Sequence, residues 1–244
     1  MNAPDGPGAE LADTLSRLRR ILRGLQSAGL AALPRGTRTE QAAAQAEPVP
    51  GSSVEKAEDA LRLTRLQMGD CRRCRLHGQR SHIVFGEGSP AARLVFVGEG
   101  PGFEEDRTGR PFVGKAGRLL DRMIRALGMR REDVYICNAV KCRPPGNRVP
   151  DSHEIQACSP YLFMQIEAIR PAVICALGAC AAQTLLGTGS AVSRLRDSVR
   201  FWRGIPLVCT FHPAYLLRNP AQKSAAWQDL VRIHRILNEA DEVF

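Results

Sequence analysis

Four cysteines carry the plainest chemistry in this chain. Cys71 and Cys74 stand in CRRC, and Cys142 and Cys158 follow on either side of a fifteen-residue gap. Two close thiolates plus two brought in from a distance describe a tetrahedral S4 site, suited to zinc or to an iron–sulfur cluster, and the spacing alone favours zinc slightly. The second pair overlaps NAVKCRPPGN (Asn138 to Asn147), with GEGPG (Gly98 to Gly102) upstream. A metal there is expected to brace a site made of those loops.

The remaining candidates each carry two readings. GEGPGFEED follows a strand but lacks the spacing of a dinucleotide fingerprint, and its glycines allow a ligand to approach the backbone closely. Its acids Glu99, Glu104, Glu105 and Asp106 are equally a solvated acidic turn. Phe112, in the loop RPFVGKAG, is either a core plug or a stacking platform. Asn138 interrupts an apolar strand, where an amide is either satisfied by backbone or reads the edge of a ligand. His212 in FHPAYLLRNP gains functional weight only from its place beyond a strand end. Arg194, Arg196, Arg200, Arg203, Arg218 and Lys223 are a solvated basic face or a track for a phosphate backbone.

The elements that must position these residues follow from periodicity. Helices are expected from Val54 to Gly69, Lys115 to Leu127, Asp151 to Ile169 with Asp151 as N-cap, Ala179 to Leu186 and Gln222 to Leu237. Strands are expected at Arg93 to Gly98, Val134 to Val140, Ala172 to Leu177 and Pro206 to Phe211. These runs are apolar on both faces, as buried parallel strands require. The alternation predicts an α/β chain: a three-layer α/β/α sandwich with a central four-stranded, mainly parallel sheet. Ligands bind such sheets beyond the carboxyl ends of the strands, which is where GEGPG, Asn138 and FHPAY fall.

Residues 1–53 read differently. Leu11 to Leu30 has helical apolar spacing and a basic opposite face, and Ala31 to Ser53 is an aperiodic, linker-like stretch expected to be disordered. The regular domain is expected to occupy residues 54–244. A net charge of +9 over 244 residues favours an acidic partner such as nucleic acid, although solubility alone accounts for it as well. No run of roughly 18 apolar residues predicts a membrane span. The start MNAPDGPGAE has early acids and no apolar stretch, so no secretory signal is expected. A reducing, cytoplasmic compartment is then expected for the eight cysteines, with Cys137, Cys175, Cys180 and Cys209 as small buried hydrophobes.

GEGPGFEEDRTGRPFVGKAG, NAVKCRPPGN and FHPAYLLRNP, in that order and with this cysteine set, closely resemble the family 4 uracil-DNA glycosylases, which carry a 4Fe–4S cluster. The likeness runs from about residue 60 to the carboxyl terminus. It implies a monofunctional glycosylase that flips uracil from single- or double-stranded DNA, releases it and leaves an abasic site, acting as a nucleoid-associated monomer. It further implies Cys71, Cys74, Cys142 and Cys158 as cluster ligands, Phe112 stacking on uracil, Asn138 reading O4 and N3–H, and His212 bonding O2. Glu105 is implied as a block to the thymine methyl, backbone near Gly100 as a base contact, and Tyr215 to Arg218 as the wedge. Family 1 enzymes carry a water-positioning aspartate where this chain has Gly100, so Glu99, Asn138 and Asn147 are the candidates for holding the water. A related class cross-links covalently to uracil-DNA through a histidine-bearing insertion. KCRPPGNRVP carries no histidine, which disfavours that class. A non-catalytic DNA-binding module and a zinc-stabilised nucleotide-binding domain are two rival functions for the same residues.

Overall fold

The computed structural model of the chain describes residues 53–239. The expected helix at Leu11 to Leu30 and its linker lie outside them, apart from Ser53, which opens the first helix. In chain order the elements are α1 (Ser53–Met68), β1 (Glu87–Gly88), β2 (Leu94–Gly98), α2 (Phe103–Thr108), α3 (Lys115–Ala126), β3 (Tyr135–Asn138), α4 (Ser152–Ile169), β4 (Val173–Leu177), α5 (Ala179–Leu186), α6 (Val192–Leu195), β5 (Arg200–Trp202), β6 (Ile205–Thr210), α7 (Pro213–Arg218) and α8 (Lys223–Glu239). The strands form one sheet in the order β1-β3-β2-β4-β6-β5.

The four expected strands make its parallel centre. The sheet has six strands rather than four because two short antiparallel strands close its edges. β1 pairs with β3, and β5 pairs with β6. β5 reaches β6 through Arg203 (φ 47°) and Gly204 (φ 84°), a two-residue turn whose positive φ angles match the twist of a hairpin. Neither strand was expected from the sequence: two residues ending in glycine, and three ending at a turn, carry too little periodicity to read.

Alternation along the central strands sends side chains to two separate cores. Leu94 and Phe96 of β2 join Leu120, Ile124, Leu230 and Ile233 beneath α3 and α8. Val95 and Val97 join Leu162, Ile166 and Ala181 beneath α4 and α5. Both faces of the sheet are therefore covered, which completes the three layers and explains why these strands are apolar throughout. Cys137, Cys175 and Cys209 are fully enclosed in these cores and Cys180 is nearly so. Asp151 caps α4 as its sequence position suggested: its side chain accepts the Glu154 N–H (2.8 Å), and Glu154 returns a bond to the Asp151 N–H (2.9 Å).

All four parallel strands end at the same rim. Gly98 pairs with Asn138 at the ends of β2 and β3, and Leu177 pairs with Thr210 at the ends of β4 and β6, two residues before His212.

Candidate active site

At that rim lies a cleft of about 450 Å³, bounded by Glu99, Gly100, Glu105, Phe112, Asn138, Asn147, Arg148, Val149, His212, Tyr215 and Arg218, among others. All the residues that the sequence singled out for base and water contact, from Glu99 to His212, thus share one wall system. They come from segments far apart along the chain, which the ends of the parallel strands bring together.

Glycines set the closeness of this packing. A Cβ on Gly98 would lie 2.4 Å from Asn138 Oδ1 and 2.5 Å from Phe112 Cζ. Gly98 therefore leaves room for both the amide and the aromatic ring to close in on the end of β2. Gly100 does the same in the turn that follows, where a Cβ would meet Val140 Cγ2 at 2.8 Å.

Phe112 is held in a left-handed backbone conformation (φ 51°), uncommon for a residue with a side chain. Such a conformation persists when its surroundings over-determine it, and Arg131 does so. Its guanidinium donates to Pro111 O (2.5 Å) and Phe112 O (3.2 Å). It is itself fixed by Glu87 (2.8 Å) and Asp121 (2.7 Å). The Phe112 ring lies 5.7 Å from the His212 ring, tilted by 32°.

Glu105 supports the same loop from the other side. Its carboxylate accepts from Gly102 N (3.1 Å), Val113 N (2.8 Å) and Gly114 N (2.9 Å), tying α2 to the segment after Phe112. A carboxylate occupied in this way is an organiser of the wall as well as a piece of it. Glu99 lacks such partners, and burial alone raises its carboxyl above the usual carboxylate range.

Asn138 is almost fully buried, and its Oδ1 has no hydrogen-bond partner. A buried unpaired amide oxygen costs about 1–3 kcal/mol unless a ligand meets it. It borders the cleft, so the reading in which backbone satisfies this amide fails for its oxygen. The backbone of Asn138 is secured from below by Lys141, a buried ammonium donating to Asn138 O (2.9 Å) and Gln165 Oε1 (2.6 Å). Gln165 in turn donates to Phe85 O and Tyr135 OH.

His212 caps α7 with its own ring: Nδ1 accepts from Ala214 N–H (3.1 Å), and Pro213 follows at the first helical position. The single ring proton of a neutral imidazole then sits on Nε2, the nitrogen left for the cleft. Although part of the ring remains open to the cleft, burial, reinforced by Arg218 and opposed by Glu105, pushes its pKa down to about 4. At neutral pH His212 is an uncharged donor.

The cysteines form a second centre behind the first. Cys71, Cys74, Cys142 and Cys158 line one small cavity together with Met68, Arg80, Ile83 and Tyr161. Among the described residues no group of three or more His, Cys, Asp or Glu side chains could hold a metal ion. The sulfurs nevertheless collect cationic and N–H donors. Arg80 donates to Cys142 Sγ (3.3 Å), Arg73 to Cys71 Sγ (3.5 Å) and the Lys141 N–H to Cys158 Sγ (3.3 Å). Four cysteines lining one space, with three N–H···S contacts and a buried lysine nearby, fit an anionic thiolate-ligated metal centre, zinc or iron–sulfur alike.

The comparisons with known proteins bear on this arrangement. The family model described as the uracil DNA glycosylase superfamily matches residues 85–231, the stretch that holds both the cleft and two of the four cysteines. The chain belongs to this superfamily. Within it, the chain is 50% identical over 164 residues to a type-4 uracil-DNA glycosylase of Thermotoga maritima, covering 66% of this chain and 85% of that protein. It is 40% identical over 188 residues to a type-4 uracil-DNA glycosylase of Archaeoglobus fulgidus, covering 74% and 92%. A type-5 uracil-DNA glycosylase of Pyrobaculum aerophilum is 34% identical over 143 residues, covering 51% and 62%. The expected type-4 membership is therefore shown.

Several supports of the site were invisible in the sequence. Arg131, Lys141 and Gln165 act through partners far along the chain. So does Glu154, a fully buried carboxylate bound by Arg75 (2.9 Å) and Arg148 (2.6 Å). These arginines hold its pKa down to about 2. Through it the residue after Cys74 is tied to the cleft wall at Arg148.

Proposed function

We propose that this chain is a monofunctional uracil-DNA glycosylase: it flips uracil out of DNA, breaks the N-glycosidic bond with water, releases the base and leaves an abasic site for base-excision repair. The observation that carries the reading is the meeting of Asn138, Phe112 and neutral His212 in one cleft. An extruded base would lie against the Phe112 ring. The unpartnered Oδ1 of Asn138 would accept from uracil N3–H while its NH2 donates to O4; cytosine presents the opposite pattern on that edge. His212 Nε2–H would donate to O2, where negative charge grows as the base departs as an anion. A preorganised donor aimed at developing charge contributes roughly 3–4 kcal/mol. Water adds to the sugar carbon as the bond to the base breaks, and its proton is released while the uracil anion takes one up. Glu99, Asn138 and Asn147 border the same cleft and would be the candidates for holding that water. Glu105 would set the wall against the thymine methyl, and Tyr215 to Arg218 would fill the gap left in the base stack. A monomer acting on DNA at the nucleoid belongs to the same reading.

Cys71, Cys74, Cys142 and Cys158 would hold a 4Fe–4S cluster. Bound there, it supplies a structural staple rather than an electron. The chain's own contribution is to carry that staple through Lys141 to Asn138, and through Arg75 and Glu154 to Arg148.

The test is an end-labelled oligonucleotide with one uracil, incubated with protein and split between an alkali-treated lane and an untreated one. Alkali-dependent cleavage at uracil, absent with thymine, is the expected result. A stable shifted adduct would assign the chain to the cross-linking class instead, and neither product from folded protein would leave a binding module.

A further inference from the structure

Two arginines of the loop that borders the cleft differ in kind: Arg148 lines the cleft itself, and Arg143 stands just outside it beside the lining residues Pro144 and Asn147. Arg148 is consumed by protein: its Nη groups donate to both oxygens of Glu154 (2.8 and 2.6 Å) and to Val149 O (3.0 Å). Arg143 is not. Among the described residues it has no carboxylate partner, and of its five N–H donors only Nε is engaged, with Asn147 Oδ1 (2.8 Å). Its guanidinium is centred 5.2 Å from the ring of Phe103, a phenylalanine 58% exposed at the start of α2. A flat cation is thus steadied by an aromatic ring and by one amide, with its Nη edge unspent.

The amide contact has a consequence for polarity. A guanidinium only donates, so the end of the Asn147 side chain that faces Arg143 must be its oxygen. The NH2 is the end left for the cleft that Asn147 borders. The backbone holds the residue there in the left-handed region (φ 57°), directly after Gly146 in the same region (φ 62°).

We propose that Arg143 is a phosphate-binding and positioning residue. Its free Nη groups take a phosphate of the DNA strand that carries the uracil, and its Nε fixes Asn147 as a hydrogen-bond donor toward the cleft. Backbone binding and the set of the site are thereby joined in one side chain. With its oxygen turned to Arg143, Asn147 would meet a water in the cleft chiefly through its NH2, as a donor. The inference rests on the uracil-DNA reading above.

The test compares wild type with Arg143→Gln, Arg143→Lys and Asn147→Ser for uracil-oligonucleotide affinity across salt and for single-turnover excision. Melting and iron content are followed alongside, because Arg143 adjoins Cys142. Arg143→Gln should flatten the log–log salt dependence on duplex by about 0.9, the worth of one phosphate contact. Arg143→Lys keeps the charge and should keep the slope, yet lose roughly tenfold or more in rate, because its ammonium cannot hold phosphate and amide together. Asn147→Ser should show the same split without touching the arginine. An unchanged slope in Arg143→Gln would overturn the phosphate contact. Wild-type rates in both Arg143→Lys and Asn147→Ser would overturn the positioning role. Failure of wild type to release uracil would instead strike the glycosylase reading, so the two failures are told apart.

Discussion

Gly98→Ala isolates the geometry of the cleft from its chemistry, because it removes no polar group. The added methyl would stand 2.4 Å from Asn138 Oδ1 and 2.5 Å from Phe112 Cζ, against 3.4 Å for ordinary contact. Relieving it requires a displacement of about 1 Å, shared between the amide and the ring. Both are nearly immobile: Arg131 clamps the Phe112 backbone and Lys141 holds the Asn138 carbonyl. Overpacking of this size costs about 1–3 kcal/mol of stability. A misplacement near 1 Å at a reacting site costs on the order of a hundredfold in rate. Single-turnover excision from a uracil oligonucleotide, beside a thermal melt, reads both quantities. A folded variant that excises at the wild-type rate would show that the close placement of Asn138 and Phe112 about Gly98 is not needed for excision.

Three further expectations concern charge and metal. His212 is depressed to about 4, so excision should show no inflection near pH 6.5 and should fall only as pH approaches 4, where the ring protonates. A pH–rate profile with a step at 6–7 that disappears in His212→Asn would contradict the neutral donor. Glu154 is lowered from 4.5 to about 2, so its stabilisation of about 3 kcal/mol is complete above pH 4.5 and disappears as pH falls toward 2. Acid titration of wild type against Glu154→Gln should show the two curves converging in that window, and a constant difference would refute the assignment. Cys142→Ser should lose bound iron and melting temperature together, and full iron content would remove Cys142 from the ligand set.

Much of this architecture was legible in the chain because it rests on local patterns. The apolar runs of β2, β3, β4 and β6 announce buried parallel strands, and Asp151 announces the start of α4. Strand ends in an α/β sheet then place Asn138 and His212 at one rim without any further information. The edge strands β1 and β5 escaped because two or three residues hold no period, although the Arg203–Gly204 turn was a usable hairpin signal. The supports escaped for a different reason. Arg131 finds Glu87 forty-four residues away and Arg75 finds Glu154 seventy-nine residues away, and such pairings leave no spacing to read. Glu105 shows the limit most clearly: its place in an acidic run suggested either a solvated turn or a steric wall, whereas its carboxylate staples three backbone N–H groups.

The most direct measurement is the release of free uracil from a single-uracil oligonucleotide, quantified by chromatography for wild type and for Asn138→Ala at matched folding and iron content. Stoichiometric uracil from wild type, none from a thymine control, and a loss of at least about a hundredfold in Asn138→Ala are the expected results, since the variant removes the amide proposed to meet the base edge. Equal release by the two proteins would contradict the assignment of this cleft as the place where uracil is read.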